Sequence, residues 1–346
     1  MIWTEWDKLQ EIIVGDVYDP KDFLEHAKSV GQSDNEFLEG MHRILEESRE
    51  DLQKLSTVLQ SYGVTVHRPK KLKPRLEQSR MWRSVQPYPA ICPRDMHIAY
   101  GNNILSTIGG DCSRFNEADF FSQIMLQKHS QGRNYISMPR PLLDDTYKDY
   151  QELEGQILYH SANMLKCGDA MIYTIPYGDN RQGRGTWTGL EWIKRNIGYD
   201  ITWMEMKRSG HADGRIALVK PGVLMARYPE FIPEQLKNWT VIPVSKKSFS
   251  EQFSQMRSET YYQEKVKTWL RDWVGYVDET VFDLNVLSID DKTVITNGYD
   301  KQTAEQLKQY GIELIPFDFR HRFFFDSGLH CVTLDLAREG ERESYL

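Results

Sequence analysis

The segment Met96–Ile108 reads MHIAYGNNILSTI, and the turn-forming triplet Gly101-Asn102-Asn103 lies at its centre. Strand-like runs on either side of such a triplet are typical of a β-hairpin. A helix with apolar residues at helical spacing is expected next, at Phe120, Phe121, Ile124 and Met125. Gly132 ends this helix, and Tyr135–Met138 follows as a strand. The sequence here predicts a unit made of a hairpin, a helix and one further strand.

The same order of elements recurs along the chain. Near the N-terminus, the strand Leu9–Val14 precedes a long helix from Phe37, which a capping box at Ser33–Glu36 introduces and Gly63 ends. The strands that close the units resemble one another: VTVHRP at 64–69, YISMP at 135–139, TVIP at 240–243 and ELIP at 313–316. We count about five units, spaced by about 50 to 70 residues.

This repeat predicts the fold class, which is α/β. One such unit cannot bury its apolar face alone, so the units are expected to pack around a common axis. Five units make a closed ring, and we predict a five-fold pseudo-symmetric α/β propeller in a single domain over residues 1–346. The axis of a ring is the natural place for a binding site.

Several element boundaries in the later units are predicted from local signals. Gln156–His160 and Ala170–Ile175 are expected to form a hairpin around Gly168. A helix is expected over Thr188–Ile197 with a capping signal at its first residue, another is expected from Thr303, and residues 249–273 are expected to form an inserted helix.

Composition and charge exclude several classes of function. The chain has 346 residues, a formal net charge of −7 and 40% hydrophobic residues, which is typical of a globular protein and disfavours a general nucleic-acid binder. No secretory signal core or membrane-spanning run is visible. The four cysteines show neither metal-ligand spacing nor a short disulfide framework. We therefore expect a reduced, cytoplasmic protein without nucleic-acid or membrane partners.

The segment 323–335 reads FFFDSGLHCVTLD and contains the first candidate for chemistry. Asp326-Ser327-Gly328 predicts a turn, and Val332–Leu336 alternates as a strand does. Cys331 is thus predicted where a turn enters a strand, a place that suits an exposed and rigidly aimed nucleophile. A buried structural cysteine is the more common alternative for such a segment.

Polar residues also cluster where each closing strand leads into the next hairpin. The clusters are Pro93–Asp95, His160–Asn163, Gly210–Gly214, Asp278 and Glu279 with Asp283, and His330–Cys331. If the units surround an axis, these clusters converge in space although they are far apart in sequence. Each cluster alone is weak evidence for a functional site. Their recurrence at one position of the unit makes that evidence stronger.

The residue types in these clusters indicate a reaction. Cys331 is a nucleophile if its thiolate is stabilised, and His211 can shuttle protons. Asp95 and Asp213 are suited to clamp a planar cation, because a guanidinium group presents five donors in a fixed fork. The combination suggests that a thiolate attacks a guanidinium carbon.

The chain also resembles the amidinotransferases of the glycine amidinotransferase and inosamine-phosphate amidinotransferase group, which are five-fold α/β propellers of the pentein superfamily. The resemblance runs from EWDKLQEIIVG at 5–15 to GLHCVTLDL at 328–336, and its specific motifs are Pro93-Arg94-Asp95, His211-Ala212-Asp213 and His330-Cys331. It implies that Cys331 receives the amidino group and that His211 is the general acid and base. It also implies that Asp95 and Asp213 hold the guanidinium, with Arg94 in the same substrate-binding motif.

The chain departs from this family at several positions. Asn163 is expected where the glycine enzymes carry an aspartate that orients the histidine, and we include it in the catalytic set. Asp278 and Glu279 replace small hydroxyl residues that touch the amino-acid end of the donor. Glu230 stands where an arginine grips the donor carboxylate, and Arg227, three residues earlier, is the candidate substitute.

The sequence therefore predicts an amidinotransferase that needs no cofactor and no metal. The amidino group would pass from a guanidino donor, expected to be L-arginine, through an amidino-Cys331 intermediate to a primary amine, with release of ornithine. The acidic pair Asp278 and Glu279 favours a cationic or amine-rich acceptor. The alternatives are an arginine deiminase-like hydrolase and a catalytically silent guanidino-binding pentein. Relatives of this group are often dimers, so a homodimer is compatible with the resemblance.

Overall fold

The described part of the protein forms five three-stranded sheets. The structure is a computed structural model, and it describes residues 1–29, 31–70, 90–109, 114, 117–140, 155–176, 185–244, 284–298, 300–322 and 324–346. The strands are β1 Lys8–Val14, β2 Thr65–His67, β3 His97–Tyr100, β4 Asn103–Ser106, β5 Asn134–Ser137, β6 Met164–Cys167, β7 Ala170–Ile175, β8 Thr202–Ser209, β9 Ile216–Lys220, β10 Val223–Ala226, β11 Thr240–Pro243, β12 Leu287–Ser288, β13 Thr293–Asn297, β14 Glu313–Phe317 and β15 Thr333–Glu339. The predicted mixed α/β class is confirmed.

All five sheets share one pairing pattern. In each sheet the middle strand is antiparallel to one neighbour and parallel to the other, and the orders are β15-β1-β2, β3-β4-β5, β6-β7-β8, β9-β10-β11 and β12-β13-β14. The antiparallel pair is a hairpin, and the connection that follows brings the third strand parallel to the middle strand, as the sequence predicts. The first sheet is the exception in chain order, because β15 from the C-terminus completes it. Cys331 lies two residues before β15 and is therefore anchored to the N-terminal strand β1.

Most helices connect two strands of one sheet, and the short helix at Pro93–Met96 instead leads into β3. They are α1 Pro20–Ser29, α2 Asn35–Ser61, α3 Pro93–Met96, α4 Ser122–Ser130, α5 Trp187–Asn196 and α6 Lys301–Gln309, and 3-10 turns cover Glu117–Phe121, Ser161–Asn163, Ala212–Gly214, Pro229–Phe231 and Glu234–Leu236. Helix α2 begins after Asp34, whose carboxylate accepts a hydrogen bond from the Phe37 amide. Its buried face packs into the same apolar cluster as β1 and Cys331. None of the helices in the described ranges is long and apolar enough to cross a membrane.

Several predicted boundaries are wrong. The strand that pairs with β7 is β6, not Gln156–His160, because the tight turn at Gly168 pairs Cys167 with Ala170. Helix α5 is capped by Thr186 rather than Thr188, since the Thr186 hydroxyl accepts the Gly189 amide. Helix α6 begins two residues before Thr303, after its N-cap residue Asp300. The predicted inserted helix 249–273 lies outside the described residues.

Candidate active site

Asn285 holds Cys331 at the entry to β15. The Asn285 amide oxygen accepts a hydrogen bond from the Cys331 backbone nitrogen at 3.0 Å. The amide nitrogen of the same side chain donates to the Cys331 sulfur at 3.2 Å. Both side chains are buried, and only 4% of Cys331 is exposed. One amide thus fixes the backbone and the sulfur of the cysteine together.

The electrostatic surroundings keep the Cys331 thiol protonated. Burial raises the pKa of this thiol well above its ordinary value, and the nearby carboxylates of Asp213 and Asp95 raise it further. The Asn285 hydrogen bond acts in the opposite direction but is outweighed. Because the thiolate is the reactive form, a positive charge has to enter the site before this sulfur becomes a good nucleophile.

Asp213 lies beside the cysteine, in the 3-10 turn that precedes β9. One oxygen, Oδ2, is 2.7 Å from Nδ1 of His330 and accepts the Cys331 thiol at 3.4 Å. The other ring nitrogen of His330 is 3.1 Å from a carboxylate oxygen of Glu5. Burial alone would raise the pKa of Asp213, but the hydrogen bond from His330 and the charges of His330 and His211 lower it overall. Asp213 is therefore present as a carboxylate.

Asp95 is the second carboxylate at the site, at the start of the hairpin β3–β4. Its Oδ2 atom is 2.7 Å from a guanidinium nitrogen of Arg114, which also binds Glu117. Its Oδ1 atom and the Oδ1 atom of Asp213 are buried, and neither has a hydrogen-bond partner in the described part of the chain. Buried carboxylate oxygens are normally paired, so these two atoms are suited to accept hydrogen bonds from a bound donor.

His211 completes the group from the residue before the Ala212–Gly214 turn. Its Nδ1 atom is 3.9 Å from Asp95 Oδ1, and its Nε2 atom is 3.0 Å from Nδ1 of His160. One nitrogen of His211, one oxygen of Asp213 and the Cys331 sulfur all lie within 4.8 Å of one another. The site therefore combines a nucleophile, a titratable ring and two carboxylates in one buried volume.

Comparison with known proteins gives this arrangement a family context. No family model matches the sequence. The chain is 24% identical to inosamine-phosphate amidinotransferase 1 of Streptomyces glaucescens, over 99% of this chain and 98% of the relative. It is 26% identical to the L-arginine:L-lysine amidinotransferase of Pseudomonas savastanoi pv. phaseolicola, over 99% and 96% of the two chains. A solved amidinotransferase of the saxitoxin biosynthetic pathway from Microseira wollei superposes with a TM-score of 0.74 at 22% identity, covering 100% of this chain and 99% of the other.

The chain has the amidinotransferase fold. Its end-to-end similarity to several named amidinotransferases, together with this fold, supports an enzyme that transfers amidino groups. The resemblance to the amidinotransferases that the sequence motifs indicate is thereby confirmed.

In this amidinotransferase-like chain, Asn163 ends the 3-10 turn at Ser161–Asn163. Asn163 is completely buried, and its side chain lies beside Tyr159. His160, three residues earlier, is the side chain that contacts the His211 ring. The sequence cluster His160–Asn163 was therefore relevant, but its first member lies against His211.

Arg94 is placed beneath the site. Its guanidinium donates to the backbone oxygens of His330, at 2.8 Å, and Thr333, at 3.1 Å, and it also pairs with Asp335. Only 4% of Arg94 is exposed. These contacts favour a role in positioning the Cys331 segment over the direct substrate contact that the motif implied.

The remaining predicted substrate residues lie further along the chain. Arg227 follows β10 and its guanidinium carbon is 5.5 Å from the Tyr228 ring centroid, while Glu230 is exposed. Asp278 and Glu279 lie outside the described residues. The structure thus assembles Cys331 with the histidine and both aspartates.

Sequence reasoning missed three residues that shape the site, namely Glu5, Arg114 and Asn285, and it named His160 only as the start of a polar cluster. Glu5 is far from every motif, and only tertiary contacts with Lys166, at 3.0 Å, and His330 reveal it. Those two partners outweigh burial and lower the pKa of Glu5.

The imidazole, thiol and carboxylate groups here are also types that bind metals. The Oδ2 atoms of Asp95 and Asp213 already pair with Arg114 and His330, and we assign no metal role to this group.

Proposed function

We propose that this protein transfers an amidino group from a guanidino donor, with L-arginine as the first candidate, to a primary amine through an amidino-Cys331 intermediate. The observation that carries the proposal is a pair of buried carboxylate oxygens near the cysteine, one on Asp95 and one on Asp213, that have no hydrogen-bond partner among the described residues. A guanidinium carries the charge and the forked N–H donors that two such oxygens require.

The donor cation activates the nucleophile in this proposal. The carboxylates of Asp213 and Asp95 contribute to the raised pKa of the Cys331 thiol, so a guanidinium bound between them opposes that contribution. The thiol stays protonated until a donor binds. Sulfur then attacks the guanidinium carbon, and the thiol proton passes to His211.

Two half-reactions follow. His211 gives its proton to the departing amine as the carbon–nitrogen bond breaks, which releases ornithine when arginine is the donor and leaves a cationic amidino-thioether on Cys331. An incoming primary amine, whose ammonium form has lost one proton to solvent, then attacks the amidino carbon and gives one N–H proton to His211. The carbon–sulfur bond breaks, the sulfur takes a proton back from His211, and the guanidinylated acceptor leaves.

The wider architecture belongs to the same proposal. We place the five sheets around a common axis, in a single domain over residues 1–346, with the site on that axis. Arg227, Asp278 and Glu279 are the candidates for contacts with the ends of the donor and the acceptor. The two acidic residues would favour an amine-rich acceptor, and a homodimer is the candidate assembly.

The experiment is a chromatographic assay of L-arginine with a panel of amines: glycine, lysine, diamines and aminocyclitols. Wild type is compared with Cys331→Ala, and Cys167→Ala is the matched control because Cys167 is a buried cysteine in β6. We expect ornithine together with one guanidinylated amine from wild type and from Cys167→Ala. Cys331→Ala should form neither product.

Other products would reject the proposal in different ways. Citrulline without ornithine would show that water is the acceptor and that the protein is a hydrolase. If neither product forms while calorimetry detects guanidino compounds binding, the protein is a silent binder. Intact-protein mass spectrometry after exposure to arginine supplies the direct check, because transfer through Cys331 requires an adduct with the mass of one amidino group.

A further inference from the structure

Two histidines face each other behind the reacting groups. His160 Nδ1 and His211 Nε2 are 3.0 Å apart, and the two ring planes are inclined by 41°. His160 is completely buried, whereas His211 is partly accessible. At this distance one nitrogen must donate and the other must accept, because two N–H groups cannot point at each other.

The backbone around His160 is shaped to admit its ring. A Cβ atom on Gly109 would lie 1.5 Å from Cδ2 and 1.6 Å from Nε2 of His160, so only glycine leaves room for the imidazole. The Tyr159 amide donates to the Ile108 backbone oxygen at 2.6 Å and holds the two segments together. The ring of His160 is therefore set in place by its neighbours before any substrate arrives.

We propose that His160 is the positioning residue for His211. In its neutral form with hydrogen on Nε2, His160 accepts the Nε2 hydrogen of His211 at its own Nδ1 atom. This fixes the tautomer of His211 and leaves Nδ1, which faces Asp95 Oδ1 at 3.9 Å, for proton transfer. The inference rests on the proposed function, in which His211 is the general acid and base.

An imidazole partner makes the arrangement sensitive to acid, unlike an amide partner. A protonated His160 would donate from Nδ1 to His211 Nε2 and would force the remaining His211 hydrogen onto Nδ1. That tautomer cannot take a proton from the thiol or from the acceptor. In the described part of the chain, His211 and Asp95 are titratable groups that face His160 with ligand atoms within 4.8 Å, and Arg114 pairs with Asp95.

Two substitutions at His160 separate positioning from packing. His160→Ala removes the acceptor, and we expect kcat to fall by about 10- to 100-fold, the usual effect of losing a group that orients a functional histidine. The KM for the donor should change less than kcat, because the hydrogen bond of His160 is made to His211, the group that transfers protons. His160→Asn supplies an amide oxygen near the Nδ1 position, so it should restore most of kcat and shift the acid limb of the pH–rate profile to lower pH.

Gly109 provides a matched control. Gly109→Ala should reproduce the loss of kcat by displacing the His160 ring, and it should add little in a His160→Ala background, where the space is already open. Independent losses that multiply in the double variant would contradict the proposal.

A second readout does not depend on activity. Nitrogen-15 NMR of histidine-labelled protein reports which ring nitrogen of His211 carries hydrogen, and we expect Nε2–H in wild type and His160→Asn but a tautomer mixture in His160→Ala. If wild type transfers amidino groups and the His160 variants keep its kcat, pH profile and tautomer, the positioning role is wrong. If wild type shows no transfer, the proposed function fails, and the tautomer measurement still decides whether His160 orients His211.

Discussion

Replacing Asn285 by aspartate isolates the hydrogen bond that supports the reactive sulfur. Asparagine and aspartate have the same shape, which matters because Gly328 packs closely against this side chain. Asn285→Asp keeps an oxygen for the Cys331 amide, at 3.0 Å in the native protein, but removes the N–H that donates to the sulfur at 3.2 Å. A carboxylate oxygen then faces the sulfur and opposes its ionisation.

The size of the effect follows from that single bond. A hydrogen bond to a charged group contributes about 1.5 to 3 kcal/mol. At about 1.4 kcal/mol for each tenfold change in an equilibrium, its loss disfavours the thiolate and raises the pKa of the Cys331 thiol further above its ordinary value. The thiolate population at a given pH should fall by about 10- to 100-fold, and alkylation of Cys331 should slow by the same factor.

The assay is alkylation by iodoacetamide across a pH series, quenched and read by peptide mass spectrometry. Cys167 is the internal control, because burial raises the pKa of its thiol to about 12 and it lies outside the site. A haloacetamidine serves as the cationic counterpart, since Asp95 and Asp213 should attract its amidinium. An unchanged pH dependence for Cys331 in Asn285→Asp, with Cys167 also unchanged, would refute the reasoning that this amide stabilises the thiolate.

Two further predictions concern stability. Burial lowers the pKa of His97 from 6.5 to about 4, so the unfolded chain binds more protons than the folded chain between these pH values. The free energy of unfolding should therefore fall by up to about 3 kcal/mol as the pH drops from about 6.5 to 4. In urea unfolding, His97→Gln should lose less stability over this pH range than wild type. Arg94 pairs with the fully buried Asp335, so Arg94→Met should lower the free energy of unfolding by about 3 to 5 kcal/mol. Arg94→Lys keeps the positive charge and should be destabilised less. Equal stability of Arg94→Met and wild type in urea would contradict this prediction.

The sheets were predictable because their signals are local. The turn at Gly101–Asn103 and the closing strand after Gly63 are fixed by a few neighbouring residues, and both occur where the sequence indicates. The strand before Gly168 was misplaced because Gln156–His160 has a strand-like composition. Only the two-residue turn, with Gly168 at φ +69°, requires the partner strand to end at Cys167.

The site was predictable only in part, for a related reason. Cys331, His211, Asp95 and Asp213 are found by their recurrence at one position of the repeat, a pattern that sequence contains. Residues that join the site only through tertiary contacts leave no such pattern in the sequence. Asn285 precedes its hairpin without a distinctive motif, and whether His160 or its neighbour three residues later faces His211 depends on the 3-10 turn at Ser161–Asn163.

The charge balance of the site links these observations to the order of the proposed reaction. Before the donor binds, Asp95 and Asp213 each keep one carboxylate oxygen that accepts no hydrogen bond from the described part of the chain, and the thiol is neutral. A guanidinium supplies the missing positive charge, and the amidino-thioether that follows is also a cation, so the same two carboxylates hold the group through both half-reactions. Only the amine changes between them. We infer that the carboxylate pair selects the transferred group, whereas the acceptor is selected by side chains around it, and this is why the donor chemistry is readable from the site while the acceptor has to be measured.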